Sequence, residues 1–107
     1  MKLTDEFMPI KDWAQEKGIL DKGDVKTQYV KFQEEAGELA KAIMKDDYDE
    51  FKDAIGDIVV TLVSLAELGN QYFSVEDISI EDCVNGAYQV IKDRKGKMKD
   101  GTFVKQD

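Results

Sequence analysis

The chain has 107 residues, 42% of them hydrophobic, with 23 acids against 15 bases and a net charge of −8. That length suits one domain around one modest core, and so acidic a surface repels nucleic-acid polymers and anionic membranes unless a local basic patch intervenes. Histidine is absent and Cys83 is the only cysteine, which excludes a Ser-His-Asp triad, a His-ligated zinc or iron site and any disulfide within the chain.

The opening MKLTDEFMPIKDW holds no apolar h-region, so no signal peptide is expected. No apolar run reaches the roughly 18 residues of a membrane-crossing helix. With the lone thiol, these features point to a cytoplasmic setting. A short first helix is predicted over residues 9–17, with Pro9 in its first turn and Gly18 as its stop. GILDKG, residues 18–23, reads as a linker.

Asp24 is a good N-cap for a second helix running to Lys45. Phe32, Leu39 and Ile43 share an apolar face there, flanked by Tyr29, Ala36 and Ala40. At about 100° per residue, Glu35 and Glu38 lie about 60° apart and Glu35 about 40° from Leu39. The acid pair therefore borders the apolar stripe. KDDYD, residues 45–49, reads as a turn.

A third helix is predicted from Tyr48 to Leu68, ended by Gly69 and Asn70. From Ile58 to Ala66 it carries no charge, and a helix apolar on every side is expected to be buried. Asp57 is the last charge before that segment, Asp53 lies one turn earlier on the same face, and Glu50 falls within about 60° of Asp53. The short connection makes the second and third helices antiparallel neighbours, each presenting carboxylates at the edge of one core. A connection at 70–78 leads to a fourth helix from Ser79, with Glu81 and Asp82 in its first turn, running to Lys95 and stopped by Gly96. The tail KMKDGTFVKQD reads as a turn or hairpin around its Asp-Gly pair. The fold expected is all-α and bundle-like: four helices around an antiparallel central pair, one domain over residues 1–107.

Two readings stand for the acids. They form a solvated face with i,i+4 pairs to Lys31, Lys41, Lys45 and Lys52. Or, unpaired and clustered, they bind a hard dication, which prefers oxygen ligands and keeps phosphates in its shell. An EF-hand is excluded, because DDYDEFKDAIGD lacks the loop glycine at its sixth position. The stretch KDRKGKMKDGTFVK, residues 92–105, carries six bases and two acids. Lys92, Arg94 and Lys95 either offset a helix macrodipole or capture phosphate. Trp13 reads as a core plug, Tyr88 as core or site, Lys31 as partner of the acids or of a phosphate, and Cys83 as core.

KFQEEAGELAKAI resembles the first motif, EExxE, of the MazG-like all-α nucleoside triphosphate pyrophosphohydrolases. DAIGDIVVTLVSLA resembles the second, ExxD followed by an apolar run. The flanks IKDWAQEKGILDKGDVKTQYVKF and AYQVIKDRKGKMKDGTFVK are similar to short single-domain members of phages and Gram-positive bacteria, so the resemblance covers nearly the whole chain. It implies a helical fold that assembles as a homodimer or homotetramer. It also implies hydrolysis of a nucleoside or deoxynucleoside triphosphate to the monophosphate and pyrophosphate, dependent on Mg²⁺, or Mn²⁺ in its place.

Carried over by residue, Glu35 and Glu38 match the paired acids of the first motif, Glu34 is its leading acid, and Asp57 closes the second. The family Glu three residues before Asp57 is Ala54 here. Either Asp53, which shares the face of Asp57 at i,i+4, takes its place, or Glu50 to Asp53 is the motif itself. Gln89 stands where many members carry Asn, and Asn85 lies one turn earlier. The roles implied are metal binding by Glu35, Glu38, Asp53 and Asp57, with Glu34 orienting water. Lys31, Lys92, Arg94 and Lys95 serve the phosphates, and Trp13, Gln28, Asn85 and Tyr88 the rest of the substrate. A second subunit would complete a pocket that two short helices leave open. The competing class is a non-catalytic helical interaction module whose acids are only surface.

Overall fold

The computed structural model describes residues 3–106, and side chains from Phe7 onward. Five helices and a hairpin follow in order: α1 (Leu3–Glu16), α2 (Ile19–Lys22), α3 (Val25–Met44), α4 (Tyr48–Phe73), α5 (Ile80–Ile91), β1 (Lys95–Lys99) and β2 (Thr102–Gln106). The helical class is borne out, but the strictly four-helix reading is corrected. Residues 18–23 hold a helical turn, and the tail is a two-stranded antiparallel hairpin.

Local chemistry sets most boundaries. Gly18 adopts φ 81° and ends α1, its N–H donating to the Gln15 carbonyl at 3.1 Å, the left-handed stop that glycine allows. Asp24, Asp47 and Ser79 cap α3, α4 and α5 by accepting from the N–H groups of Thr27, Glu50 and Asp82, each satisfying an amide the helix cannot. Three boundaries depart from expectation. Pro9 sits inside α1 rather than in its first turn. Gly69 and Asn70 do not stop α4. It continues until Ser74, at φ 56°, where the Val75 N–H reaches the Asn70 carbonyl and the Ser74 N–H that of Gln71, a Schellman closure. Finally, α5 ends at Ile91, so Arg94 lies in a turn and Lys95 begins β1. Asp100 and Gly101, both at positive φ, join strands paired Lys99 to Thr102. This is the two-residue hairpin turn an Asp-Gly pair favours.

α3 and α4 form the antiparallel centre. Near the start of α3, Gln28 Nε2 donates to the Thr61 carbonyl at 3.4 Å, while Ala42 near its end shares a small cavity with Asp47 and Glu50. Ala42, Ala54, Thr61, Val63, Ser64 and Leu68 are buried, as is Ala14 of α1. The uncharged stretch 58–66 is only partly enclosed: Thr61, Val63 and Ser64 are buried, and Ile58, Val59, Val60, Leu62, Leu65 and Ala66 are half-buried. Ile43, expected on the packed stripe of α3, is exposed, as are Phe51 and Ile55 of α4. Cys83 is exposed rather than core.

α5 meets the body only at its start. Ile80 is buried, and Lys11 of α1 lies 2.8 Å from Glu81 and 3.4 Å from Glu67 of α4. The Asn70 amide donates to the Ile78 carbonyl and accepts from the Ile78 N–H, both at 2.8 Å. Among the described residues, the hairpin backbone packs against none of the helices. The radius of gyration, 16.1 Å, exceeds the roughly 13 Å of a compact chain this long.

Candidate functional site

The α3 acids separate according to their place on the helix. Glu35 lies toward α4, its side chain only 14% exposed, while Glu34 and Glu38 are 63% and 53% exposed. Lys31 bridges the first two, 3.2 Å from Glu35 and 3.7 Å from Glu34. Hydrogen bonding to Glu35, then its charge, holds the Lys31 ammonium above its ordinary pKa.

Asp57 of α4 faces that pair. Withdrawal from water, then the charges of Glu35 and Asp53, push its carboxyl above the usual range, and hydrogen bonding to Glu35 adds to this while Lys31 partly offsets it. Glu35, Asp53 and Asp57 therefore form one electrostatic group. Glu38 belongs to another: it pairs with Lys41 at 3.5 Å and lines a 160 Å³ cavity with Asp47 and Glu50. Ala54, at the position where the family motif carries Glu, is buried. A carboxylate there would lie within the packed interior, whereas Asp53 is exposed one turn before Asp57.

Asp57 also lines a cavity of about 370 Å³ with Pro9, Ile10, Trp13 and Val60. Trp13 is 44% exposed, so it is a wall of this cleft and not a core plug. Sequence reasoning missed Pro9, Ile10 and Val60, because only the docking of α1 on α4 brings them beside the acids. Gln28 does not line the cleft; its amide ties α3 to α4.

The remaining expected site residues lie elsewhere. Asn85, Tyr88, Lys92, Arg94 and Lys95 are exposed on α5, the turn after it and the hairpin, and among the described residues neither α5 nor the hairpin packs on α3. Gln89 donates to Asn85 at 3.3 Å.

The donor set is hard: carboxylates, with no imidazole and no thiolate. Mutual repulsion at Asp57 is the condition a bound dication relieves. Among the described residues no three carboxylates stand together as a ready-made ion site. Among the described residues no helix is long and apolar enough to cross a membrane.

A family model described as MazG nucleotide pyrophosphohydrolase domain matches residues 24–98. No curated protein and no solved structure matches the chain.

Proposed function

The chain belongs to the MazG nucleotide pyrophosphohydrolase family, and on that premise we propose that it hydrolyses a nucleoside or deoxynucleoside triphosphate to the monophosphate and pyrophosphate with Mg²⁺, working as a homodimer or homotetramer of one-domain chains. One observation carries the reading. Asp57 belongs at once to the carboxylate group with Glu35 and Asp53 and to the wall of the Trp13 cleft. A single residue thus joins the edge proposed to bind the cation to a cleft walled by an aromatic ring.

The base lies against Trp13 in the cleft, and the triphosphate runs toward the acids. Glu35, Asp53, Asp57 and Glu38 would hold Mg²⁺, or Mn²⁺, which when bound neutralises phosphate charge and acidifies water. Glu34 flanks the group without being drawn into it and orients the attacking water. Lys31, already between Glu34 and Glu35, steadies both carboxylates and offers a donor to a phosphate oxygen. Arg94, Lys92 and Lys95 neutralise the leaving pyrophosphate.

The test is direct. Each NTP and dNTP is incubated with protein and Mg²⁺, and pyrophosphate is assayed. Release with at least one nucleotide is expected, lowered on the order of a hundredfold or more by Glu35→Gln or Glu38→Ala. No release with any nucleotide refutes the activity.

A further inference from the structure

Lys31 stands one turn before Glu34 and Glu35 on α3, and its ammonium reaches both, 3.7 Å from the first and 3.2 Å from the second. The two contacts differ in kind. Glu34 is 63% exposed, so that pair is largely solvated. Glu35 is only 14% exposed, so its carboxylate has lost most of its water and needs a cation or a donor in return. The Lys31 charge also reaches Asp57 of α4, where it offsets part of the repulsion from Glu35 and Asp53. One ammonium thus serves three carboxylates on two helices.

Helix stability does not account for this placement. A lysine ahead of a glutamate at i,i+4 supports a helix less than the reverse order. The neighbouring lysines take different places. Lys41 meets Glu38 where both side chains are more than half exposed, and the Lys52 ammonium lies 5.0 Å from the centre of the Tyr48 ring. Among the described residues, only Lys31 sets its charge against the group formed by Glu35, Asp53 and Asp57. A hard dication seeks the same carboxylate oxygens, and two cations crowded onto one carboxylate repel each other.

Resting on the activity proposed above, we propose that Lys31 is the resident cation of the metal-free site. It holds the Glu35 carboxylate until Mg²⁺ or Mn²⁺ displaces it, so the ion binds in competition with the chain's own ammonium. The pairing keeps a half-buried carboxylate group assembled when no ion is bound, and it weakens metal binding by the strength of the contact that has to break. The four-carbon stem is flexible, and the displaced ammonium is then free for the phosphate oxygen it serves in the proposed reaction.

Mn²⁺ binding to the nucleotide-free protein, followed by the electron paramagnetic resonance of the free ion, tests this. Lys31→Met is expected to bind Mn²⁺ about fivefold more tightly than wild type, the factor carried by an ion pair at the strong end of the surface range. Lys31→Arg keeps the charge and the reach, and should stay within about twofold of wild type. Lys52→Met removes a positive charge next to Asp53 without breaking an ion pair to the acids, so it reports the effect of net charge alone, expected to be less than about twofold. Thermal melts give a second readout. Without metal, Lys31→Met should melt below wild type, because Glu35 and Asp57 then lack their counter-charge; saturating Mn²⁺ should close the gap. Lys31→Met binding no more tightly than Lys52→Met, or a melting gap that saturating Mn²⁺ leaves open, overturns the competition and leaves Lys31 an ordinary helix pair. A wild type that binds no Mn²⁺ refutes the metal-dependent activity itself, and the competition with it.

Discussion

Asp57 is asked to stay charged where it is partly withdrawn from water and lies beside two other carboxylates, and its raised pKa reflects both, the loss of water first. A carboxyl whose folded pKa exceeds its ordinary 3.8 binds its proton more tightly when folded. Its ionisation therefore costs stability as pH rises from about 4 through the raised value. Asp57→Asn is expected to raise the melting temperature of the metal-free protein at neutral pH. It should also diminish the stabilisation by Mn²⁺ and a non-hydrolysable nucleotide that the wild type shows. Thermal melts with and without those ligands check both. The acids and their spacing were legible from helical geometry, and the substitution at Ala54 from the family resemblance. The division of Glu35 from Glu38 was not, since 60° on a wheel becomes two environments only when α4 packs against one of them. Gly96 was read as a helix stop, but it serves the hairpin. A methyl there would strike the Val104 carbonyl and the Phe103 ring, so Gly96→Ala is expected to unpair the strands, seen as lost cross-strand NOEs between residues 96–98 and 103–105.

Among the elements, the attachment of α5 is set by a few polar contacts. Lys11, Glu67 and Glu81 have side chains only 16–25% exposed, so removing the ammonium strands two acids together. Lys11→Met is expected to cost about 1–3 kcal/mol, or roughly 4 °C of melting temperature per kcal/mol in a chain this size. Burial alone would lower the Lys11 pKa, but Glu81 and Glu67 raise it above 10.5. Lys11 holds Glu81 below 4.5. The clamp thus stabilises between those limits: it weakens as acid protonates Glu81 and as alkali deprotonates Lys11. The difference in melting temperature between wild type and Lys11→Met should shrink toward both extremes. The Asp24 cap and the helix start at Ser79 were legible because a side chain reaching its own backbone is a local event, whereas the Asp47 cap was read as part of the KDDYD turn. The end of α4 was not, because Asn70 is held by Ile78, eight residues on, and Gly69 leaves room for the Ile78 side chain.

For the whole molecule, Ile43, Tyr48, Phe51 and Ile55 stand exposed about the turn between α3 and α4, with the Lys52 ammonium 5.0 Å from the centre of the Tyr48 ring. Ala42, Ile43, Tyr48 and Phe51, with Asp46 and Asp47, already enclose a cavity of about 350 Å³. If copies associate through this face, Phe51→Glu/Ile55→Glu should convert the assembly to monomers that keep their helical circular dichroism. Sedimentation velocity decides it, and an unchanged sedimentation coefficient rejects the face as the interface.

The sequence by itself determined the helical class, the central antiparallel pair, the Asp24 cap, the helix start at Ser79, the Asp-Gly hairpin and the two acidic clusters, because propensity, capping and periodicity act within a few residues. Only the tertiary structure decided that Trp13 walls a cleft shared with Asp57, that Glu38 stands apart from Glu35, and that the basic residues ride on an arm away from the acids. Those outcomes depend on which helix faces are covered and how far one element lies from another. Contacts across tens of residues set both, and no local pattern encodes them.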